Sequence, residues 1–338
     1  MKNNFNNKSV LITGGTGSFG STFIRTFLKK YKPKRLIIFS RDEQKHFKMQ
    51  DIHSDDPPSP VRYFLGDVRD LDRLNFAMRD VDIVIHTAAL KHVPLAEYNP
   101  FEVVKTNILG AQNIIQAAIQ NNVKKVVALS TDKASSPINL YGATKLVSDK
   151  LFVAANNYKG KSNIKFSVVR YGNVMGSKGS FISYLVKNKN KKIVNITNKD
   201  MTRFNITLDE SVDFVFNCID KMWGGEIFVP KIPSYRVTDL VRAISPKSKI
   251  KIVGIRPGEK KHEEMISMDE SINTIEFKNY FVIAPNSKFL NWNKKKYISK
   301  HKNCKSCSNN FSYNSRDNMK FLTPNDLRRI LSKNKVIL

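Results

Sequence analysis

Acidic residues are scarce in this chain, cysteines scarcer still, and no apolar run approaches the roughly 18 residues that a membrane-spanning helix needs. Each shortage excludes something. Three cysteines, Cys218, Cys304 and Cys307, are too few and too unevenly spaced for a disulfide framework. His301 gives the last two a metal-like spacing, but a tetrahedral zinc site needs a fourth ligand that the neighbourhood does not offer, so no metal is expected and the segment reads as a polar loop. The start, Met1 to Lys8, is polar and runs directly into a strand, without the apolar centre of a secretory signal. A soluble cytoplasmic protein with no membrane partner is the expectation.

The shortage of acid leaves 57 Lys and Arg against 29 Asp and Glu, a formal net charge of +28. Such an excess attracts phosphates and invites a nucleic-acid reading. The charge is spread, however. Lys187 to Lys192 and Lys294 to Lys296 are short, are not interleaved with aromatics as base-stacking platforms are, and accompany abundant Asn. A Lys/Asn bias on solvated faces explains them, and no nucleic-acid partner is expected. A small anionic substrate would still be drawn in.

What the chain does have is apolar residues, 41% of the total, arranged with regularity. The first half alternates short apolar runs with amphipathic stretches, which predicts βαβ units and a parallel sheet. Strands are expected at Val10–Thr13, Arg35–Phe39, Val61–Leu65, Val81–Ile85, Lys125–Leu129 and Lys165–Arg170, with a long helix over Phe101–Gln120 carrying a broad apolar stripe. After Arg170 come shorter elements, at Phe181–Lys187, Leu208–Met222, Glu226–Val229, Thr238–Ile244 and Lys249–Val253, suited to cover the carboxyl edge of the sheet, where open α/β sheets bind ligands. Phe321–Leu331 reads as a final helix with Thr323 as cap and Pro324 in the first position. The fold class is α/β: a Rossmann-like doubly wound parallel sheet over residues 1–172 and a smaller α+β lobe over most of 173–285, part of which returns to the first domain. Residues 286–338 form a variable loop and a C-terminal helix.

Directly after the first strand stands Gly14-Gly15-Thr16-Gly17-Ser18-Phe19-Gly20, opening a helix. Glycines there let the backbone turn tightly against a pyrophosphate held by the helix N-terminus, and the flanking strands supply the context the pattern requires. Gly14, Thr16, Gly17, Ser18, Phe19 and Gly20 are therefore expected at a dinucleotide. The second strand ends in Ser40-Arg41-Asp42, without an acid at the usual ribose position. Ser40 and Arg41 favour a 2′-phosphate and hence NADP, while Asp42 keeps NAD open. Asp67 and Val68 fall at the adenine edge, and Ala88, Ala89 and Lys91 along the cofactor's centre.

Between the fifth strand and the next helix lies Ser130-Thr131-Asp132-Lys133, followed by Tyr141-Gly142-Ala143-Thr144-Lys145. Tyr141 and Lys145 share one helix face, so the Lys145 ammonium is expected to lower the Tyr141 pKa until the phenol exchanges protons near neutrality. Asp132 and Lys133 can divide acid and base roles. Thr131 either orients the reacting oxygen or caps the turn. His92 reads as a core histidine.

With Tyr171-Gly172-Asn173-Val174 these motifs resemble the extended short-chain dehydrogenase/reductase superfamily. Further runs, Phe39-Ser40-Arg41-Asp42-Glu43, Gly66-Asp67-Val68-Arg69-Asp70, Ala88 to Pro94, Ser130 to Ala134, Pro137 to Lys145, Met201-Thr202-Arg203-Phe204 and Arg256-Pro257-Gly258-Glu259-Lys260, are similar to the inverting UDP-N-acetylglucosamine 4,6-dehydratase family. The resemblance covers about residues 8 to 285 and returns at Phe311 to Ser315. It implies that Tyr141 and NADP oxidise sugar carbon 4, that Lys133 removes the proton from carbon 5, that Asp132 protonates the departing hydroxyl of carbon 6, and that hydride returns to carbon 6. Retaining relatives carry Asp-Glu where this chain has Asp132-Lys133, and the lysine implies inversion at carbon 5. Lys133 must be neutral to act as a base; Lys145 and the nicotinamide charge push that way, whereas an ionised Asp132 pulls the other. Lys91, Asn173, Arg203, Arg256 and Glu259 are implied at the nucleotide-sugar, and a homo-oligomer, dimer or hexamer, is implied as the assembly.

A UDP-sugar 4-epimerase would use Tyr141 and Lys145 but has no need of Asp132 and Lys133. A non-catalytic dinucleotide- or RNA-binding protein would need neither pair.

Overall fold

The structure, a computed structural model, describes residues 5–177, 179–286, 290, 292–301, 303–334 and 336. Met1 to Asn4 of the polar start, and residues 287–289, 291, 302, 335, 337 and 338 of the C-terminal stretch, lie outside the described residues.

Six parallel strands make the heart of the protein: β1 (Ser9–Thr13), β2 (Arg35–Ser40), β3 (Val61–Leu65), β4 (Ile83–His86), β5 (Lys125–Thr131) and β6 (Lys165–Tyr171). Their spatial order is 3-2-1-4-5-6, the doubly wound Rossmann order, with the chain reversing direction across the sheet between β1 and β4. β1 is buried along its whole length, as a strand covered on both faces by helices must be, and its Val10-Leu11-Ile12 run is correspondingly unbroken. The sheet then continues past β6. Ile227–Pro230 pairs parallel with β6, and Tyr280–Ile283, Thr274–Phe277 and Cys304–Ser306 follow in antiparallel register, giving ten strands. The helix Leu208–Lys221 packs beside the first helix, α1 (Ser18–Lys30), where Phe216 meets Phe23 and Phe27.

A second core lies over the carboxyl ends of β1 to β6. It combines Met175, Ile182, Leu185, Val194, Leu240 and Val241 with Leu327 and Leu331 of the final helix. That helix, Pro324–Lys333, starts as the sequence predicts: Thr323 accepts from Asp326 N, and the Asp326 side chain returns the bond to Thr323 N, a reciprocal cap.

The long helix expected over Phe101–Gln120 is not continuous. Pro100–Val104 and Gly110–Gln120 are α-helical, but Lys105–Leu109 between them winds as a π-turn. The wider turn rotates the buried face, so Thr106 and Asn107 point inward where an unbroken 3.6-residue pattern would favour apolar side chains. Among the described residues no helix is long and apolar enough to cross a membrane.

Candidate active site

The turn after β1 is shaped by two steric demands. Gly14 has φ +64, and a Cβ there would stand 2.9 Å from Thr87 Oγ1 and 3.0 Å from the Ala88 backbone. A Cβ on Gly20 would lie 2.2 Å from the Gly15 carbonyl oxygen, so only glycine lets α1 close onto the turn. Gly17 N donates to Gly14 O at 2.9 Å, and the N-terminus of α1 opens toward a cavity of about 930 Å³. This cavity runs along the carboxyl edge of the sheet and under the second core.

Every residue expected at the cofactor borders it: Gly14, Thr16, Gly17, Ser18, Phe19, Gly20, Ser40, Arg41, Asp67, Val68, Ala88, Ala89, Lys91, Tyr141 and Lys145. So do Asn173, Arg203, Arg256 and Glu259. Ser40 Oγ lies 2.7 Å from Thr16 Oγ1, and Arg41 reaches Asp67 at 3.6 Å with 55% of its side chain still exposed. Asp42 also borders the cavity, and its side chain caps the Glu43–Gln50 helix by accepting from Lys45 N at 3.0 Å.

Tyr141 and Lys145 come from the Leu140–Tyr158 helix, whose cap Asn139 accepts from Gly142 N at 2.8 Å and donates to Gly258 O at 2.8 Å. One side chain thus starts the helix and pins the Arg256–Lys260 loop over it. The expected depression of the Tyr141 pKa is not what this protein arranges. Burial pushes the phenol up to about 12, and what opposes it is the Lys133 charge and the neighbouring Thr131 hydroxyl, while Asp132 and Asp149 add to the rise. Lys145 is itself 3% exposed, and burial lowers its pKa; Asp149, one helical turn on, works against that. The reason is that desolvation of two buried groups outweighs their spacing along a helix.

Lys133 is gripped from two sides. Its Nζ lies 3.1 Å from Asp132 Oδ1 and 3.1 Å from Glu263 Oε1. The two carboxylates raise its pKa against burial, so the amine is held as an ammonium. Asp132 is fully buried and does not border the cavity, unlike the other expected catalytic groups. Burial, helped by Glu263, raises its pKa, and its Oδ2 has no protein hydrogen-bond partner among the described residues. Thr131 connects it outward: the hydroxyl donates to Asp132 Oδ1 at 3.0 Å, accepts from Lys133 N at 3.3 Å as the cap of the short Asp132–Ala134 turn, and bonds Tyr141. The structure thus shows the cap.

Arg203 is buried, and its guanidinium holds the loop beside it, donating to Thr202 O at 2.7 Å, Lys261 O at 3.1 Å and Lys260 O at 3.0 Å, with Glu263 at 3.6 Å and Glu259 at 3.7 Å. Arg256 by contrast is exposed and borders the cavity. His92, expected in the core, is exposed and borders the cavity. The buried histidines are His46, 6% exposed, and His86, 1% exposed and bonded to Thr13 Oγ1 at 2.9 Å.

Three functional residues escaped the sequence reading. Asn107, on the π-turn, accepts from Leu90 N at 2.9 Å and donates to Leu90 O at 2.9 Å and Thr144 Oγ1 at 3.1 Å, tying the loop after β4 to the Tyr141 helix. Asp149 follows Lys145 at the same helical spacing that separates Tyr141 from Lys145, a signal that was present. Glu263 had none. His301 and Cys304 bond backbone carbonyls, and no group of three or more metal-capable side chains gathers among the described residues.

Comparison with known proteins agrees with this architecture. Residues 10–285 match the family described as "Polysaccharide biosynthesis protein". A protein of Campylobacter jejuni serotype O:2 named UDP-N-acetylglucosamine 4,6-dehydratase (inverting) is 57% identical over 85% of each chain. A protein of the same name from serotype O:23/36 is 52% identical over 97% of this chain and 98% of that one. The crystal structure of Pen from Bacillus thuringiensis superposes with a TM-score of 0.88 at 37% identity, covering 99% of this chain and 100% of that chain. With its glycine turn, its Tyr-Lys helix face and this matched span, the chain belongs to the polysaccharide biosynthesis protein family, in which it is similar to the inverting UDP-N-acetylglucosamine 4,6-dehydratases.

Proposed function

We propose that this protein is a lyase, an inverting UDP-N-acetylglucosamine 4,6-dehydratase. It converts UDP-N-acetylglucosamine to a UDP-4-keto-6-deoxy-hexosamine derivative by oxidation at carbon 4, loss of water across carbons 5 and 6, and reduction at carbon 6. The observation that carries this reading is the meeting, in one cavity, of Tyr141 and Lys145 with a lysine gripped between two buried carboxylates. An epimerase has use for the first pair alone.

The residues fit a nicotinamide dinucleotide. Bare backbone at Gly14 and Gly17 and the start of α1 form a cradle for a pyrophosphate, which any side chain at Gly14 or Gly20 would disrupt. The half-exposed Arg41 beside Ser40, with Asp42 engaged as a helix cap, favours NADP over NAD. Bound there, the cofactor supplies hydride acceptance and return. Tyr141, acting as the phenolate, takes the proton of the carbon 4 hydroxyl: burial opposes that form, while the Lys133 charge favours it, as would the positive charge of an oxidised nicotinamide bound there. Lys145 and Thr131 set its orientation. The carbon 5 proton, acidified by the ketone, goes to the Lys133 amine after its ammonium has passed a proton to Asp132 Oδ1, 3.1 Å away. Asp132, protonated by that transfer, with burial favouring its neutral form, returns the proton toward the carbon 6 hydroxyl through the Thr131 hydroxyl, which then turns to accept from it. Arg256 and Lys91 suit the diphosphate, Glu259 a ribose diol, Asn173 a sugar hydroxyl, and Arg203 keeps their loop in place. The same reading gives a cytoplasmic homo-oligomer, dimer or hexamer, serving polysaccharide or pseudaminic acid biosynthesis.

Incubation with UDP-N-acetylglucosamine in deuterated water, followed by mass spectrometry and NMR, tests it. The expected product has lost water and carries deuterium and an inverted centre at carbon 5. A product altered only at carbon 4 identifies an epimerase, and no turnover with RNA binding at moderate salt identifies a binding protein; either result overturns the proposal.

A further inference from the structure

We propose that Glu263 is a positioning residue for Lys133, fixing both where its amine stands and the pH at which that amine can accept the carbon 5 proton. This assignment rests on the dehydratase reading and extends its machinery to a residue far away in the chain.

The geometry is specific to Glu263. Asp132 is beside Lys133 because it precedes it in the same short turn, but Glu263 is brought there by the lobe. Its backbone is clamped to Ser315: Glu263 N donates to Ser315 Oγ at 2.9 Å, and Ser315 N donates to Glu263 O at 2.7 Å. Ser315 Oγ is in turn 2.7 Å from Thr202 Oγ1, so the strand carrying Arg203 joins the same clamp. The Glu263 side chain is 2% exposed yet borders the cavity, with Oε1 on Lys133 Nζ and Oε2 without a protein hydrogen-bond partner among the described residues. A buried carboxylate half-satisfied in this way costs stability, which an apolar residue at the same place would not. A role at the amine accounts for that cost. Lysine is a flexible point charge on a four-carbon stem, and a single carboxylate would let it swing; two opposed acceptors hold Nζ between them.

The charge balance around Nζ identifies what Glu263 contributes. Asp132 faces it from its own turn, Glu263 and Lys260 from the segment after Arg256, Arg203 from the Thr202–Thr207 strand, Tyr141 from the helix and Tyr235 from the Ser234–Arg236 strand. Glu263 also feels Arg203 and Lys260, which keep it ionised. With its charge removed, Asp132 alone opposes Arg203 and Lys260, and the ammonium loses its proton more readily.

Glu263→Gln keeps the shape and the acceptor oxygen but not the charge, and Glu263→Asp keeps the charge on a shorter arm. Exchange of the carbon 5 hydrogen with deuterated solvent, followed against pH, reads the Lys133 step; absorbance of the reduced nicotinamide in a single turnover reads oxidation at carbon 4. In Glu263→Gln the acid limb of carbon 5 exchange moves to lower pH by about one unit or more, since one buried charge has been removed, while carbon 4 oxidation persists. In Glu263→Asp exchange slows and the limb stays where it is in the unaltered protein. An unmoved limb in Glu263→Gln overturns the proposal. The Lys133 side chain is also titrated by NMR in the ligand-free protein with and without Glu263→Gln, which needs no catalysis; an identical titration overturns the proposal again. If the unaltered protein makes no 4-keto product, the dehydratase reading falls, and this titration still decides whether Glu263 governs the amine.

Discussion

Arg170 Nη2 donates to Asp149 Oδ2 at 3.3 Å in the interior of the protein, one helical turn beyond Lys145. Arg170 is fully buried, its other arm meets Glu270 at 2.9 Å, and Ser130 Oγ completes the shell of Asp149 at 2.8 Å. A buried ion network thus lies directly behind the Tyr141 helix, joining β5 and β6 to it. Asp149→Ala removes one partner and leaves a desolvated guanidinium, so unfolding free energy falls by about 3–5 kcal/mol. Urea titration followed by circular dichroism measures the loss, and a loss under about 1 kcal/mol shows that Arg170 can be satisfied without Asp149.

Asn107 is the only link described between the loop after β4 and the Tyr141 helix that uses both ends of one amide. Asn107→Ala frees the Leu90 N–H and carbonyl together, at a cost of about 2 kcal/mol or more. The variant therefore melts lower and turns over more slowly, whereas unchanged melting in calorimetry contradicts the role given to the π-turn.

Gly20→Ala places a methyl group against the Gly15 carbonyl, where the gap is 2.2 Å. Backbone must shift, and the turn loses its shape. Titration of NADPH fluorescence is expected to show no saturable binding. Binding at the affinity of the unaltered protein would place the dinucleotide elsewhere.

Arg41→Ala tests the cofactor preference. One charge-assisted contact to a 2′-phosphate is worth about 1.5–3 kcal/mol, so NADP binding weakens by about tenfold or more while NAD binding changes little. Calorimetric titration of both cofactors reads the difference, and equal weakening of the two assigns Arg41 to something other than the 2′-phosphate.

Burial lowers the His86 pKa from 6.5 to about 3. Below 6.5 the unfolded chain takes up a proton at this residue and the folded chain does not, so stability is fully present above 6.5 and declines as pH falls toward 3. His86→Asn, which retains a partner for Thr13, flattens that decline by up to about 1.4 kcal/mol per pH unit. Urea unfolding at a series of acidic pH values reads the slope; identical slopes in the two proteins would show that His86 does not stay neutral.

Local chemistry made much of this protein legible before its structure. Thr323, Pro324 and Asp326 announce a helix start because capping involves only neighbours. The glycines at 14, 17 and 20 announce a phosphate turn because the turn and the helix it opens are consecutive. Five of the six parallel strands show as apolar runs since they are buried on both faces, and β3, at the edge of the sheet, keeps only Val61 fully buried. Reading fails where a pattern is broken for a distant partner. Asn107 breaks the helical stripe over 101–120 in order to reach Leu90 and Thr144, and no periodicity signals a π-turn. His92, read as a core histidine, is exposed because burial of a lone histidine depends on which strand packs against it, as β1 does against His86 through Thr13.

The sequence by itself determined the cofactor turn, the Tyr141 and Lys145 face and the adjacency of Asp132 to Lys133, all of which depend on spacings of a few residues. Only the tertiary structure decided their electrostatics. Spacing predicts that Lys145 eases the proton from Tyr141, yet burial dominates both groups, and the positive charge that opposes it comes from Lys133. Lys133 is in turn governed by Glu263, delivered by a lobe whose clamp runs through Ser315. Charge interactions act through space and strengthen as water leaves, so they are set by which segments the fold brings together rather than by the order in which they are written.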